Sequence, residues 1–349
     1  MAGALRRTYD VLMPTNLDVR GLTVELPTQA GWIRPVNDVS FALGAGETLG
    51  IVGESGSGKT MLALALMGLE PKGARLTGEA WLSRRGRVNG NGSAASPAAG
   101  ENLLTASRKV MWNLRGGEIA MVFQEPMTAL NPVVRVGAQI EEAIRAHQPR
   151  LSRDEVRRRA LESLERTAIP EPAHRAHQYP HQLSGGLRQR AMIAMALASG
   201  PRVLIADEPT TALDVTVQKQ ILDLLAALGR DLKLSILFIT HDFGVVAQIA
   251  DRVAVMYAGR VVEQGPTDEV LRHPRHPYTE GLLRAAPRLN REKLVAIPGT
   301  VPQLAELPPG CAFGPRCAKH IAECDAGVPE LTHAAGASEN HRARCILSK

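Results

Sequence analysis

Residues 53–60 read GESGSGKT, a run of small residues around one lysine that suits phosphate binding. The glycines let the backbone turn tightly and point N–H groups inward, and a helix that begins here adds its positive end. Lys59 supplies a point charge, and the Thr60 hydroxyl is placed to reach Mg²⁺. We therefore predict a nucleotide-phosphate site made of Gly53, Glu54, Ser55, Gly56, Ser57, Gly58, Lys59 and Thr60.

Other polar residues follow apolar runs of strand length. In VLIADE, Asp207 is predicted to hold Mg²⁺ through water, and the adjacent Glu208 is predicted to be the general base that polarises the attacking water. Gln124 in VFQEP is predicted to contact the Mg²⁺ or the water, and His241 in ITHD to hydrogen-bond the γ-phosphate. Each of these last two residues, taken alone, also fits an ordinary surface or structural role.

The stretch LSGGLRQR at 183–190 offers a second phosphate grip. Ser184, Gly185 and Gly186 present a hydroxyl and free N–H groups at the start of a predicted helix. The loop at 53–60 already encloses one side of a nucleotide, so this second grip is predicted to close over a nucleotide held by another molecule. ATP would then join a dimer that hydrolysis releases. A plain helix N-cap is the alternative interpretation.

These residues need a parallel sheet that brings them to one edge. Apolar runs at 202–207 and 234–242 have the character of central parallel strands, which deliver side chains at their carboxyl ends. Further elements are predicted from local patterns: strands at 21–26 and 37–43, a strand leading into Gly53, a helix capped by Ser152 and Glu155, and a hairpin over 252–265 that turns at Ala258–Gly259. Residues 84–101 are predicted to be a flexible insertion.

Composition limits the class of protein. The 349 residues carry a net charge of only +6 and 3% aromatic residues, which favours a solvated basic surface over nucleic-acid binding. No apolar run reaches the roughly 18 residues that a membrane span needs, so we expect a cytoplasmic chain that is peripheral to any membrane. All four cysteines lie in the last 39 residues, which in a reducing compartment favours a metal site over disulfides.

The motifs GESGSGKT, FQEPMTALNP, LSGGLRQR, LIADEPTTALD and FITHD, in this order, resemble those of ABC transporter ATP-binding subunits over about 18–285. The resemblance implies an α/β fold: a P-loop NTPase core with a parallel sheet, an antiparallel β-subdomain and a helical subdomain at about 128–200. It also implies a head-to-tail dimer in which each ATP lies between one phosphate loop and the other subunit's LSGG. Asp214 in TALD would lie at the dimer interface, and the segment after Gln124 would meet the membrane subunits.

The tail sharpens the resemblance to the dipeptide and oligopeptide importers. HPYTEGLLRAAP at 276–287 and the tail IPGTVPQLAELPPGCAFGPRCAKHIAEC are similar to the sequences of that branch, whose ATPase subunits carry a C-terminal extension. We place this extension at 286–349, the ATPase domain at 18–285 and an N-terminal tail at 1–17. The branch implies that a [4Fe–4S] cluster is bound by Cys311, Cys317, Cys324 and Cys345, with spacing C-x5-C-x6-C-x20-C. Four thiolates suit Zn²⁺ equally well.

By resemblance, the chain is an ATPase that works with a second ATPase subunit, identical or paralogous, on two membrane permeases at the cytoplasmic face. An extracytoplasmic solute-binding protein would deliver the solute. Related importers carry nickel chelates or glutathione, and a non-transport ABC ATPase is a further alternative. One departure concerns adenine: Leu26 stands where the family usually has an aromatic ring, and Trp32 is the nearest ring.

Overall fold

The computed structural model describes residues 14–29, 31–83, 100–125, 129–211, 213–285 and 296–348. The strands are β1 (Thr15–Thr28), β2 (Gly31–Gly44), β3 (Thr48–Val52), β4 (Arg75–Leu82), β5 (Glu101–Asn102), β6 (Ile119–Val122), β7 (Val203–Asp207), β8 (Ser235–Thr240), β9 (Arg252–Tyr257), β10 (Arg260–Pro266), β11 (Thr332–His333) and β12 (Arg342–Ala343). The helices are α1 (Lys59–Leu66), α2 (Arg108–Leu114), α3 (Val136–His147), α4 (Arg153–Arg166), α5 (Pro172–Ala176), α6 (Gly185–Leu197), α7 (Val215–Leu232), α8 (Phe243–Ile249), α9 (Thr267–Arg272) and α10 (Pro277–Ala285).

The larger sheet has the order β11-β12-β10-β9-β3-β8-β7-β6. Its strands from β9 through β3, β8 and β7 to β6 run parallel to one another. β3, β7 and β8 are buried along their whole length, which explains why their sequences are continuous apolar runs. Because these strands are parallel, the loops after β3, β6, β7 and β8 leave from one edge of the sheet.

The second sheet is antiparallel, with the order β2-β1-β4-β5. The strands predicted at 21–26 and 37–43 are confirmed as parts of the longer β1 and β2. Buried side chains of this sheet share a core with Leu62 and Leu66 of α1, so the antiparallel sheet packs over the helix that follows the phosphate loop. This core fixes β2 beside that loop.

The helices between 136 and 197 form a separate layer with its own core. Val136, Ile140, Val156 and Leu164 pack in that core with Ala191 of α6. These helices lie within the helical subdomain predicted at about 128–200. The cap predicted for α4 is confirmed on the serine side, because the Ser152 Oγ accepts the Glu155 N–H at 3.2 Å. The Glu155 carboxylate does not complete a reciprocal cap among the described contacts, since it accepts from Arg158 at 2.7 Å and from Arg159 at 2.8 Å.

The C-terminal residues join the larger sheet. β12 pairs with β10 and β11 pairs with β12, so residues 332–343 extend that sheet at its antiparallel edge. The hairpin between β9 and β10 turns at Ala258 and Gly259, with φ of 46° and 83°, as predicted.

Some predictions fall on segments that lie outside the described residues. These segments are most of the predicted insertion (84–99), part of the junction to the extension (286–295) and residues 1–13. The domain limits therefore stay predictions.

Candidate functional site

The phosphate loop connects β3 to α1 and passes close to two other strands. A Cβ on Gly58 would lie 1.9 Å from the Pro35 carbonyl oxygen, and a Cβ on Gly53 would lie 2.2 Å from that of Met256. Gly58 also has φ of 102°, a region that residues with side chains rarely adopt. The glycines are thus needed for close approach to β2 and β9 as well as for the turn.

Lys59 is the first residue of α1 and is only 5% exposed. Its Nζ donates to the carbonyl oxygens of Gly53 at 2.8 Å and Glu54 at 3.0 Å. These hydrogen bonds connect the end of the phosphate loop to its start. Burial lowers the pKa of Lys59, and the carboxylates of Glu208, Asp207 and Glu54 act in the opposite direction. A bound phosphate would supply the negative charge that favours the protonated lysine.

Asp207 is the last residue of β7 and is 1% exposed. The Thr60 Oγ1 lies 3.4 Å from its Oδ1. Burial raises the pKa of Asp207, and the Thr60 hydroxyl opposes this shift. A hydroxyl and a carboxylate are hard oxygen donors, and Mg²⁺ uses few protein ligands because it retains several waters. This pair therefore fits the predicted Mg²⁺ site.

Glu208 brings three loops together through one oxygen. Its Oε2 accepts from the Thr211 Oγ1 at 2.8 Å and lies 3.2 Å from the His241 Nδ1 and 3.4 Å from the Gln124 Nε2. These partners follow β7, β8 and β6 respectively. The structure thus brings the predicted base Glu208 next to His241, predicted to bind the γ-phosphate, and Gln124, predicted to contact Mg²⁺ or the water.

The backbone at Glu208 is held in an uncommon conformation. Its φ is 45°, a left-handed geometry that costs about 1–2 kcal/mol for a residue with a side chain. The Glu208 N–H donates to the Ile239 carbonyl oxygen at 2.9 Å, which fixes the residue to β8. Such strain is typical of residues whose orientation matters for function.

Thr211 also contacts Glu208, a role that the sequence did not predict. The only signal for it was its position three residues after Glu208 in EPTT, and a threonine in a turn has many ordinary uses. Its hydroxyl is a neutral donor to the carboxylate, so it orients Glu208 without supplying a charge.

The predicted second phosphate grip is an exposed helix start. Ser184 is the N-cap of α6, and its Oγ accepts the Leu187 N–H at 3.4 Å. Ser184 and Gly185 are exposed to solvent. The N-cap interpretation therefore holds within this chain, and the exposed N–H end of α6 is also available to a ligand from outside it.

The loop that leads into α7 lies against this helix start. A Cβ on Gly186 would lie 2.7 Å from the Val217 Cγ1, and one on Gly185 would lie 3.6 Å from the Leu213 Cδ2. Asp214 caps α7 by accepting the Val217 N–H at 2.9 Å. The residues predicted to contact a second molecule are thus neighbours on one surface.

This contact gives a stability prediction. We expect Gly186→Ala to lower the free energy of unfolding by about 2 kcal/mol relative to Gly185→Ala, because only the new methyl at 186 collides with the stiff Val217 side chain. Both variants gain similar helix propensity, so the comparison isolates the collision. Denaturant unfolding of the two variants measures the difference, and Val217→Ala in the Gly186→Ala background should recover most of it. Equal stability of the two alanine variants would contradict the prediction.

The four cysteines are free thiols that line one small cavity of about 10 Å³. Burial raises the pKa of Cys311, Cys317 and Cys345, which favours the neutral thiols. Among the described residues, no group of three or more His, Cys, Asp or Glu side chains is arranged to hold a metal ion. The donor type suits iron or zinc, but the arrangement of the side chains does not support the predicted cluster.

Leu26 and Trp32, the two residues considered for contact with adenine, lie on β1 and β2. Leu26 lies opposite Ile33, and Trp32 lies opposite Pro27. The Arg75 guanidinium carbon is 3.9 Å from the centroid of the Trp32 ring, so one face of this ring already has a cationic partner.

The parallel sheet, the glycine-rich loop between β3 and α1, and the acidic pair at the end of β7 define a P-loop nucleotide hydrolase. Residues 36–211 match the ABC transporter family. Residues 262–324 match the family described as "Oligopeptide/dipeptide transporter, C-terminal region". The chain belongs to the ABC transporter family, and it is an ATPase whose hydrolysis of ATP is coupled to transport.

Individual relatives agree with this assignment. A protein of Brucella ovis named as a peptide import ATP-binding protein is 50% identical over 338 residues, which cover 95% of this chain and 96% of the relative. A protein of Brucella abortus with the same kind of name is 48% identical over 322 residues, 92% of each chain. The dimeric ATP-binding cassette MJ0796, solved with ADP and Pi after hydrolysis, has 27% identity and a TM-score of 0.60 over 72% of this chain and 98% of its own.

Among the described residues, no helix is both long and apolar enough to cross a membrane.

Proposed function

We propose that this chain is the ATP-hydrolysing subunit of an importer for dipeptides or oligopeptides. The observation that carries the proposal is the match of residues 262–324 to the C-terminal region of oligopeptide and dipeptide transporters, in a chain whose residues 36–211 match the ABC transporter family. The names of the Brucella relatives support the same solute class.

In the proposed reaction, Lys59 and the inward N–H groups of residues 53–60 bind the β- and γ-phosphates. Glu208 accepts a proton from the attacking water, and the oxygen of that water forms a bond to the γ-phosphorus. The bond between the γ-phosphorus and the oxygen that bridges it to the β-phosphate breaks, and ADP leaves with that oxygen. His241 donates a hydrogen bond to the γ-phosphate. Mg²⁺, which Thr60, Gln124 and Asp207 would hold, neutralises charge on the phosphates when bound.

The second half of the proposed site comes from a partner subunit. Ser184, Gly185 and Gly186 of one subunit would cover the triphosphate held by the other, with Asp214 at the interface. The exposure of Ser184, Gly185 and Asp214 and the closeness of this helix start to the loop before α7 support this arrangement. The dimeric state of the similar cassette MJ0796 is a further support. The partner is either a copy of this chain or a paralogue.

The proposed dimer sits on two membrane permeases at the cytoplasmic face, as a peripheral component, and an extracytoplasmic solute-binding protein delivers the peptide. The test is reconstitution of the whole transporter in vesicles. We expect peptides to raise ATP hydrolysis and to be carried across the membrane with it. Stimulation by a nickel chelate or by glutathione, with no response to peptides, would reject the proposed solute class.

A second proposal concerns the cysteines: Cys311, Cys317, Cys324 and Cys345 hold a [4Fe–4S] cluster, with Zn²⁺ as the alternative. Their donor type and shared cavity support it, while the lack of a metal-holding group among the described side chains counts against it. Iron, sulfide and zinc analysis of anaerobically purified full-length protein decides the matter. Metal-free protein whose thiols all react with a maleimide would reject the proposal.

A further inference from the structure

An ion pair between Arg316 and Glu54 joins the C-terminal extension to the phosphate loop. Arg316 is 5% exposed on its side chain, and it donates to both carboxylate oxygens of Glu54, from Nη1 at 2.8 Å and from Nη2 at 3.1 Å. Such a two-point contact fixes the geometry of both side chains. The hydrogen bonds to Glu54 raise the pKa of Arg316, and an arginine guanidinium is charged at all physiological pH values in any case.

Arg316 is itself held firmly in place. Its Nε donates to the Pro298 carbonyl oxygen at 2.9 Å, and its Nη1 lies 3.4 Å from the Tyr257 hydroxyl. Its guanidinium is 5.9 Å from the centroid of the Phe313 ring. The side chain therefore has a fixed position before any ligand arrives.

Glu54 is held at three points. Besides the ion pair, its backbone N–H donates to the Tyr278 hydroxyl at 2.9 Å, and its carbonyl oxygen accepts from the Lys59 Nζ at 3.0 Å. Tyr278 is fully buried, so its hydroxyl is a fixed acceptor. Contacts to the side chain, the N–H and the carbonyl together restrain both backbone dihedrals of this residue.

We propose that Arg316 is a positioning residue for ATP: the C-terminal extension pre-orders the phosphate loop by clamping Glu54, and thereby sets nucleotide affinity. The glycines after Glu54 have large conformational freedom, and ordering them on binding would weaken affinity. A clamp at the start of the loop removes part of that cost in advance. The chain thus uses a segment outside the nucleotide-binding fold to complete its nucleotide site.

The experiment measures MgADP binding to the full-length chain by calorimetry. We expect Arg316→Ala to weaken binding about tenfold, the size typical of a lost charged hydrogen-bond pair, and Arg316→Lys to weaken it less. Glu54→Gln should weaken binding to a similar extent, and the double variant should be no weaker than either single variant. In steady-state hydrolysis, KM for ATP should rise while kcat at saturating ATP stays within about twofold.

Arg252→Ala is the matched control. Arg252 forms an ion pair with Glu47 at 3.0 Å, at the start of β9 and β3, whereas the phosphate loop follows the end of β3. This variant should leave MgADP affinity unchanged. Wild-type affinity in Arg316→Ala, an equal loss in Arg252→Ala, or a double variant weakened by the product of the two single effects would each overturn the proposal.

The inference rests on the proposed role of residues 53–60 in phosphate binding. The variant Lys59→Ala tests that role separately from the clamp by Arg316. Loss of MgADP binding in Lys59→Ala with normal binding in Arg316→Ala would overturn the clamp alone. Unchanged binding in Lys59→Ala would overturn the proposed phosphate site itself.

Discussion

Replacing Glu208 with Gln is expected to lower ATP turnover by about 10²–10³-fold, because the amide cannot accept a proton from the attacking water. ATP affinity should be kept, since Lys59 and the loop backbone are unchanged. The side-chain carbonyl oxygen of the new glutamine can also accept from the Thr211 hydroxyl, so the local geometry survives. Dimers with ATP bound should therefore accumulate. Single-turnover hydrolysis and size-exclusion chromatography with MgATP measure the two effects.

Thr211 provides the matched control for this experiment. Thr211→Val removes the hydroxyl that donates to the Glu208 carboxylate but leaves Glu208, the proposed base, in place. We expect a fall in kcat of about tenfold, smaller than that of Glu208→Gln. Near-normal turnover in Glu208→Gln would show that Glu208 is not the base.

Ser184→Asp is expected to abolish turnover while the subunit stays folded. Asp is as good an N-cap as Ser, so the start of α6 is preserved. The new carboxylate would face the triphosphate of the partner's site and repel it. MgATP binding to the subunit's own phosphate loop should be unaffected. Hydrolysis measured across a dilution series should also show that turnover in the wild type requires the dimer.

Ser152→Asp makes the same change at the N-cap of α4, where the Ser152 Oγ accepts the Glu155 N–H at 3.2 Å. This variant should keep full turnover. Where the partner is a second copy of the chain, equal amounts of Ser184→Asp and Lys59→Ala subunits should together restore about a quarter of the wild-type rate, because about half of the dimers are mixed and each mixed dimer has one of its two sites intact. Concentration-independent turnover that tolerates Ser184→Asp would contradict the shared site.

Local patterns in the sequence were enough to predict several parts of the molecule. The phosphate loop could be assigned because glycine spacing, a preceding apolar run and a following helix are all encoded within a few residues. The serine caps at 152 and 184 and the turn at Ala258–Gly259 are likewise properties of short segments. The branch of the family could be predicted from the segment at 276–287 and the tail. The metal cluster was also predicted from the tail, and the arrangement of the described side chains does not support it.

The tertiary structure decided which distant residues meet. Gln124 and His241 converge on Glu208 because β6, β7 and β8 are parallel neighbours, an order that no local pattern specifies. The contact of Gly186 with Val217 and the clamp of Arg316 on Glu54 likewise depend on how whole elements pack. Short-range preferences of the chain fix helices, caps and turns. Strand order and long-range ion pairs are fixed only when burial of the shared cores selects one arrangement of those elements.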